Sequence, residues 1–187
     1  MSISLADVLI TPQLQLRPPP EGPSWTELQV VRMLAANLER GVGPLQQAAV
    51  DWTLPVIRGA TVGLSVVQKR IAGEILKWDA VAGAHTHLVG SEVARHHSPC
   101  GYAVGQGGTH LFSDPARYYL DLAEVAPKAE LLVAPVYIHG IRPYGTLWVF
   151  ANEEGPELTI REAKLLEFLA DHLIAAVQIA SRRSTNF

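Results

Sequence analysis

Apolar and polar residues alternate in four segments of this chain, and this period of two constrains its fold more than any other feature. A strand with one buried face has that period, because successive side chains point to opposite faces of a sheet. The first two segments are residues 61–66 and 73–83, joined by a turn at residues 70–73. Within the second, Trp78 and Ala80 share a face, so these segments predict an antiparallel hairpin.

The other two alternating segments are residues 129–140 and 144–152, and the linker Gly140 to Pro143 between them has the residue types of a turn. They predict a second antiparallel hairpin. Pro135 lies inside its first strand and has no backbone N–H to donate, so it predicts a bulge or an edge position.

Two helices are predicted before the hairpins, because apolar residues recur there every three or four positions. The first spans residues 25–40 behind a capping box of Ser24 and Glu27. Its apolar stripe consists of Leu28, Val31, Ala35 and Leu38. The second helix starts near Pro44 and is expected to end before Pro55, since proline disrupts a helix interior.

A longer helix is predicted over residues 160–183, behind a second capping box of Thr159 and Glu162. Packing on a sheet needs one apolar face, but Leu165 and Ala176 widen the stripe beyond it. The surplus predicts a partner helix, for example from a second copy of the chain.

Two hairpins covered by terminal helices predict an α+β fold, a sandwich of an antiparallel sheet and helices. The region between the hairpins, residues 84–128, is predicted to be mostly irregular, with short helices near residues 98–104 and 115–124. Long ordered loops in compact domains usually carry function, so we expect the functional site in this region.

Prolines at positions 18–20 and 23 predict a stiff, extended segment ahead of the first helix. We therefore expect a proline-rich leader over residues 1–23, one domain over residues 24–183 and a tail over residues 184–187. The chain has 48% hydrophobic residues, which is enough to bury a core.

Charge and composition exclude several classes of protein. A net charge of −3 with scattered lysines and arginines does not fit a nucleic-acid-binding surface. A single cysteine cannot form an internal disulfide or a four-cysteine metal site. The sequence shows no secretory signal and no apolar run of membrane-spanning length, so we expect a cytoplasmic protein that binds neither nucleic acid nor membrane.

Six segments in this order resemble the GAF domain, most closely the GAF modules of bacterial sensor histidine kinases. They are EILKWDAVAG, SPCG, LFSDPARYYLDL, ELLVAPVYIHG, YGTLWVFAN and LTIREAKLLEFLADHLIAAV. The likeness covers residues 25–181. It implies a central antiparallel sheet of five or six strands, with the N- and C-terminal helices on one face and a pocket wall of loops and short helices on the other.

The resemblance also implies a role in sensing or signal transduction, with a small-molecule ligand or cofactor that the family does not specify. No kinase or other output domain follows the last helix, so a free-standing domain that acts through a separate partner is expected.

Nine residues in or near residues 84–128 are candidates for ligand contact, and most are polar or aromatic. They are Trp78, His85, His87, His96, His97, Cys100, His110, Arg117 and Tyr118. The histidines are expected to line or edge the pocket with neutral rings near pH 7. Arg117 and Tyr118 either hold an anionic group or are a surface arginine and a core tyrosine. Trp78 and Trp148, on different hairpins, are expected in the sheet core or the pocket floor.

Cys100 is the residue on which an enzymatic alternative depends. Ser98 and Pro99 are typical of a helix start, and a helix N-terminus beside histidines lowers the pKa of a thiol. The resemblance argues otherwise, because free methionine sulfoxide reductases of the GAF type rely on more than one cysteine. Bilin-binding GAF domains attach their chromophore to a cysteine followed by histidine, whereas Gly101 follows here. A buried structural cysteine is favoured, and no catalytic residue is predicted.

Two further site types are disfavoured. His85, His87 and Cys100 suit a metal ion, but no second thiolate or metal-binding motif accompanies them, so no metal is predicted. The glycines of GQGG, residues 105–108, lack the lysine and hydroxyl residue of a phosphate loop and predict a turn.

The sequence thus predicts a regulatory domain that binds a small molecule within residues 84–128. Occupancy would be transmitted through the terminal helices, in a homodimer or to a separate signalling protein. Two alternatives stay open. One is a single-thiol redox enzyme of the free methionine sulfoxide reductase type using Cys100, and the other is an interaction module whose pocket is filled by its own side chains.

Overall fold

The structure, a computed structural model, describes residues 3–18, 25–57, 59–123, 129–151, 155 and 157–184. The helices are α1 (Glu27–Asn37), α2 (Val42–Ile57), α3 (Pro99–Gln106) and α4 (Ile160–Ser184). The strands are β1 (Thr61–Arg70), β2 (Gly73–Gly83), β3 (Glu92–Ala94), β4 (His110–Ser113), β5 (Glu130–Ile138) and β6 (Arg142–Phe150). They form one antiparallel sheet in the order β3-β2-β1-β6-β5-β4. The predicted α+β fold class is confirmed, with α1, α2 and α4 on one face of the sheet and α3 on the other.

Both predicted hairpins are present, and they join along β1 and β6. The alternation in β2 breaks at one point. Leu64 pairs with Ala80 but the next residue, Ser65, pairs with Trp78, so Asp79 is an extra residue in a β-bulge. Trp78 therefore packs on the α3 face while Ala80 packs among the helices on the other face. The shared face that strict alternation predicts for these two residues is wrong.

Pro135 lies where β5 pairs with β6 but no longer with β4, which it meets only over residues 130–133. The register between β5 and β6 shifts directly after it, between Val136 and Tyr137. The missing N–H of proline is therefore placed on a free stretch of strand beside a bulge, as predicted.

Residues 84–123 contain more regular structure than the sequence indicates. Strands β3 and β4 lie at the two edges of the sheet and are too short for an alternating pattern to show. The helix expected near residues 115–124 is instead two 3₁₀ turns, at residues 115–117 and 120–122, and residue 124 lies outside the described residues. The short helix expected near residues 98–104 is α3.

Two of the described α-helices start with capping boxes. Thr159 and Glu162 form the predicted one before α4, where the Glu162 carboxylate accepts from the Thr159 backbone N–H at 2.9 Å. The box of α1 is formed by Thr26 and Gln29. The predicted box with Ser24 is therefore wrong for this helix, and Ser24 itself lies outside the described residues. The hydroxyl of Thr26, the residue directly before the helix, accepts a hydrogen bond from the backbone N–H of Gln29 at 3.2 Å.

The apolar stripe that α1 buries differs from the predicted one. Val30 and Leu34 are buried, whereas Leu28 and Val31 are 54% and 42% exposed. Two stripes overlap in this helix, and its packing against α2 and α4 buries the one with Val30 and Leu34. The predicted stripe therefore lies largely on the solvent side.

Helix α2 continues through Pro55 to Ile57, past its predicted end. Pro55 removes a single hydrogen bond in the last turn, where the cost is smallest. Ile57 is 6% exposed and packs in the core under the helices, which favours keeping that turn helical.

Helix α4 is buried on more than one side because it packs on β5 and also on α1 and α2. Leu165 and Ala176, which widen its stripe, are 1% and 6% exposed within the single chain. The wide apolar stripe of α4 predicts partner helices, and these are α1 and α2 of the same chain. A homodimer stays a prediction without this support.

Residues 3–18 pack against the domain. Leu9 bridges Phe112 of β4, and Val8 and Leu14 are buried. This part of the leader lies against the domain, because its apolar side chains are covered by the core, and the extended run predicted at the prolines stays a prediction. The prolines at positions 19, 20 and 23 lie outside the described residues, and the domain boundaries stay predictions. None of the described helices combines the length and apolar character needed to cross a bilayer.

Replacing Arg17 by alanine should lower the free energy of unfolding by about 2–4 kcal/mol. Arg17 donates to both carboxylate oxygens of Glu130, at 2.6 and 2.9 Å, and the two side chains are only 9% and 18% exposed. The substitution leaves Glu130 charged and largely buried without its cation. Urea unfolding measures the loss. The control Arg183→Ala removes one exposed contact at 3.3 Å and should change stability by less than about 0.5 kcal/mol. Equal losses of stability in Arg17→Ala and Arg183→Ala would contradict a stabilising role for the ion pair between Arg17 and Glu130.

Gly101 in α3 should not tolerate alanine, because a Cβ there would overlap the backbone carbonyl oxygen of Arg95. We expect Gly101→Ala to destabilise the fold by about 2–4 kcal/mol as α3 shifts away. Gly105 lies in the same helix, and no described heavy atom lies within 4 Å of its Cβ position. Gly105→Ala should therefore leave stability unchanged or raise it by up to about 1 kcal/mol. Thermal unfolding of both variants tests the difference.

Candidate functional site

A cavity of about 230 Å³ lies between α3 and the sheet. Its floor is aromatic and is formed by Trp78, Trp148 and Phe150 of the central strands. The start of α3 covers one side, and residues 88, 91–93 and 121–122 complete the wall. The cavity therefore lies on the sheet face opposite α1, α2 and α4.

The floor is held in place by packing and by one buried hydrogen bond. The rings of Trp78 and Trp148 are 4.7 Å apart, and Trp148 is 5.4 Å from Phe150. Trp148 Nε1 donates to Ser65 Oγ at 2.9 Å, and the indole lies over Gly63, where any Cβ would overlap the ring. The aromatic surface is thus preformed.

The rim of the cavity is tied to the same strand as the floor. The backbone N–H of Trp78 donates to the Ser91 carbonyl at 2.9 Å, and the Trp78 carbonyl accepts from Gly90 at 2.8 Å. The neighbouring Glu92 lines the cavity and accepts from Arg70 at 2.6 Å. The rim therefore cannot shift without disturbing β2.

His97 and Asp121 line this cavity and also a more open outer hollow of about 440 Å³. Tyr118, Tyr119 and Leu120 complete much of the outer hollow. His97 and Asp121 therefore lie at the boundary between the two spaces, where a ligand passing from one to the other would meet them.

Cys100 is the second residue of α3 and lines the cavity. Burial raises the pKa of its thiol to about 11, and the nearby hydroxyls of Thr146 and Ser65 lower it by less. The thiol is therefore protonated at neutral pH. The lowered pKa that the helix start and the histidines could give is overcome by desolvation.

The structure brings together some of the nine predicted site residues. Trp78, His97 and Cys100 line the cavity. His96 and Tyr118 line the outer hollow, and the His96 and His97 rings are 4.4 Å apart. Contact with a ligand stays a prediction for these five residues.

The other four predicted residues line neither space. His85 Nδ1 lies 2.6 Å from Thr61 Oγ1 at the end of the sheet, with the exposed His87 beside it. His110 Nε2 lies 2.8 Å from the Gly107 carbonyl oxygen, and burial lowers the pKa of this histidine. Arg117 is exposed.

His85, His87 and Cys100 are the residues whose types suit a metal ion in the sequence. Among the residues that the structure describes, no three histidine, cysteine, aspartate or glutamate side chains converge as a metal site. The two histidines lie at the edge of the sheet near Phe150, whereas Cys100 lies under α3.

The sequence places Trp148 in the sheet core or the pocket floor but does not single out Phe150, Glu92 or Asp121 as site residues. The period of two in β6 places Phe150 on the same face as Trp148, and this signal could have identified it. Glu92 and Asp121 carry no such signal, because they lie in short irregular segments far apart in sequence. Only the fold brings these two carboxylates to one rim.

Residues 44–178 match the family model of the GAF domain. The chain is similar in structure to the GAF domain of a phosphoenolpyruvate-protein phosphotransferase from Acinetobacter, with 12% identity, a TM-score of 0.66 and coverage of 87% of this chain and 99% of that one. It is also similar to free methionine-R-sulfoxide reductase from Neisseria meningitidis, solved in complex with its substrate. Here the identity is 17%, the TM-score is 0.68, and the likeness covers 84% of this chain and 89% of that one.

A third similar structure is the GAF-B domain of DevS from Mycobacterium smegmatis, with 17% identity, a TM-score of 0.61 and coverage of 76% of this chain and 96% of that one. At these identities the likeness to solved structures shows the fold alone. No curated protein matches the chain.

Cys100 should react slowly with iodoacetamide in the folded protein. With a pKa of about 11, roughly one thiol in a thousand is ionised at pH 8. We expect alkylation at least about 100-fold slower than in the urea-unfolded chain. The rate should rise about tenfold per pH unit between pH 7 and 10. Mass spectrometry measures it, with Cys100→Ser as the unlabelled control. A rate that levels off below pH 8 would show an activated thiolate.

Proposed function

Because the chain belongs to the GAF domain family, we propose that it is a sensory domain that binds a small molecule in the cavity between α3 and the sheet. The open cavity of about 230 Å³ over a preformed aromatic floor carries this proposal. An apolar cavity of about 150 Å³ already admits benzene, so the space suits a compound of one or two rings. An interaction module with a filled pocket is supported less, since the chain's own side chains leave this volume open.

The signal would pass through the sheet to the terminal helices. Leu131 and Trp148 line the cavity, while their neighbours Leu132 and Val149 pack in the core under α1, α2 and α4. Successive residues of one strand thus face the ligand and the helices in turn. A ligand that displaces the floor would shift β5 and β6, on which α4 rests.

We also propose a cytoplasmic protein whose helices act on a partner, either a second copy or a separate signalling protein. The exposed Leu28 and Val31 on the outer side of α1 support contact with such a partner. These residues offer apolar surface that the chain itself leaves uncovered.

A redox enzyme using Cys100 is the second candidate. The position of the thiol in the cavity wall supports it, and a similar fold occurs in a free methionine-R-sulfoxide reductase. The raised pKa of the Cys100 thiol favours the binding proposal over the redox enzyme, because the thiolate is the reactive form. The chain also has no second cysteine to resolve an oxidised one.

A thermal-shift screen of nucleotides, amines, carboxylic acids, haem and bilins tests the binding proposal. We expect one class to stabilise the fold, by about 2.7 kcal/mol at 100 times its dissociation constant. Leu88→Trp, which fills the cavity from its wall, should abolish the shift. The neighbouring Val89→Trp, at a position 49% exposed and outside the lining, should retain it.

Two outcomes would count against the proposal. A flat response of the folded parent to every class would overturn it. Turnover of an oxidised compound with an external thiol, lost in Cys100→Ser, would favour the redox enzyme instead.

A further inference from the structure

We infer that the cavity selects a small, positively charged aromatic compound, a primary amine of one ring, and rejects anionic ligands. This inference rests on the proposed small-molecule function and specifies its ligand class. Three properties of the cavity carry it: the charges at its rim, the aromatic pair in its floor and its volume.

The charged groups that line the cavity are acidic. Glu92 and Asp121 contribute carboxylates, and none of the described lining residues is a lysine or an arginine. Arg70 pairs with one oxygen of Glu92, and Asp121 forms no ion pair with any described residue. His97 is the remaining ionisable group of the lining besides Cys100. An anion would meet the carboxylate of Asp121, which no described cation offsets, whereas an ammonium group would find a partner there.

The floor offers a second binding interaction for the same charge. Trp78 and Trp148 lie 4.7 Å apart with their planes tilted by 50°, and both line the cavity, where Trp78 is the more exposed of the two, at 8% against 1%. Indole faces attract cations more strongly than any other side-chain ring, and the attraction grows when water is excluded. The apolar part of the ligand would pack on the same rings and on Leu131.

The volume limits the ligand to about one ring with a short side chain, because about 150 Å³ holds benzene and this cavity measures about 230 Å³. Haem, bilins and nucleotides are larger, and they also carry the disfavoured negative charge. Both their size and their negative charge therefore disfavour haem, bilins and nucleotides as ligands within this cavity. Arg117, the residue predicted to hold an anionic group, is exposed and does not line the cavity.

Three probes of one shape test the charge preference: phenethylamine, phenethyl alcohol and phenylacetate. Their affinities are measured by calorimetry at pH 7 and low ionic strength. We expect the amine to bind at least about tenfold tighter than the carboxylate, with the alcohol between them. Equal or tighter binding of phenylacetate would overturn the inference.

Variants assign the preference to residues. Asp121→Asn and Glu92→Gln should each reduce amine affinity at least about threefold and leave alcohol affinity unchanged. The control Asp171→Asn removes an exposed carboxylate from α4, on the other face of the sheet, and should change nothing. Amine binding that survives both rim substitutions together would overturn the role of the carboxylates.

The outcomes separate this inference from the proposed function. If the alcohol or the carboxylate binds best and Leu88→Trp abolishes that binding, the cavity is a ligand site and the cation preference is wrong. If none of the three probes binds, the inference is overturned, and the broader screen decides the proposed function independently.

Discussion

The indole of Trp148 lies against the backbone of Gly63, and the cavity depends on this contact. Strands β1 and β6 are paired here, with Gly63 directly opposite Trp148. A side chain at position 63 would lift the ring off the sheet and into the space that a ligand needs. The hydrogen bond from Nε1 to Ser65 then holds the ring in its plane and satisfies the indole N–H of Trp148. One glycine and one hydroxyl thus hold a large core residue, only 1% exposed, in place in the floor of the cavity.

The bulge at Asp79 completes the floor from the other side. Without the extra residue, Ala80 would lie on the same face as Trp78, and α2 would meet a different set of side chains. With it, Ala80 and Ala82 present small surfaces to the helices, while Val81 packs beside Trp78. The Val81 carbonyl accepts from Gln47 of α2 at 3.0 Å, so the helix compensates for the irregular strand. The bulge therefore serves helix packing and the cavity at once.

The fold could be predicted from the sequence wherever a period repeats over enough residues. Hairpin strands of nine or more residues and the last helix with its Thr159 cap show such periods. Strands β3 and β4 have four residues or fewer, so their pairing is decided by neighbours rather than by their own pattern. The bulge was missed for the same reason, because alternation in the sequence cannot reveal one inserted residue. Which of two apolar stripes α1 buries depends on packing that no local pattern encodes.

The site was predicted by region but only partly by residue, and the reason is chemical. Reactive residue types drew the prediction to the stretch around His96, His97 and Cys100. The fold leaves His96 and His97 exposed but buries Cys100, and exclusion of water raises the pKa of its thiol to about 11. The same exclusion strengthens attraction between a cation and the rings of Trp78 and Trp148. Burial penalises a thiolate and an ammonium group alike, but the aromatic faces and the rim carboxylates offset only positive charge, so the discrimination between ligands comes from these groups and not from burial itself.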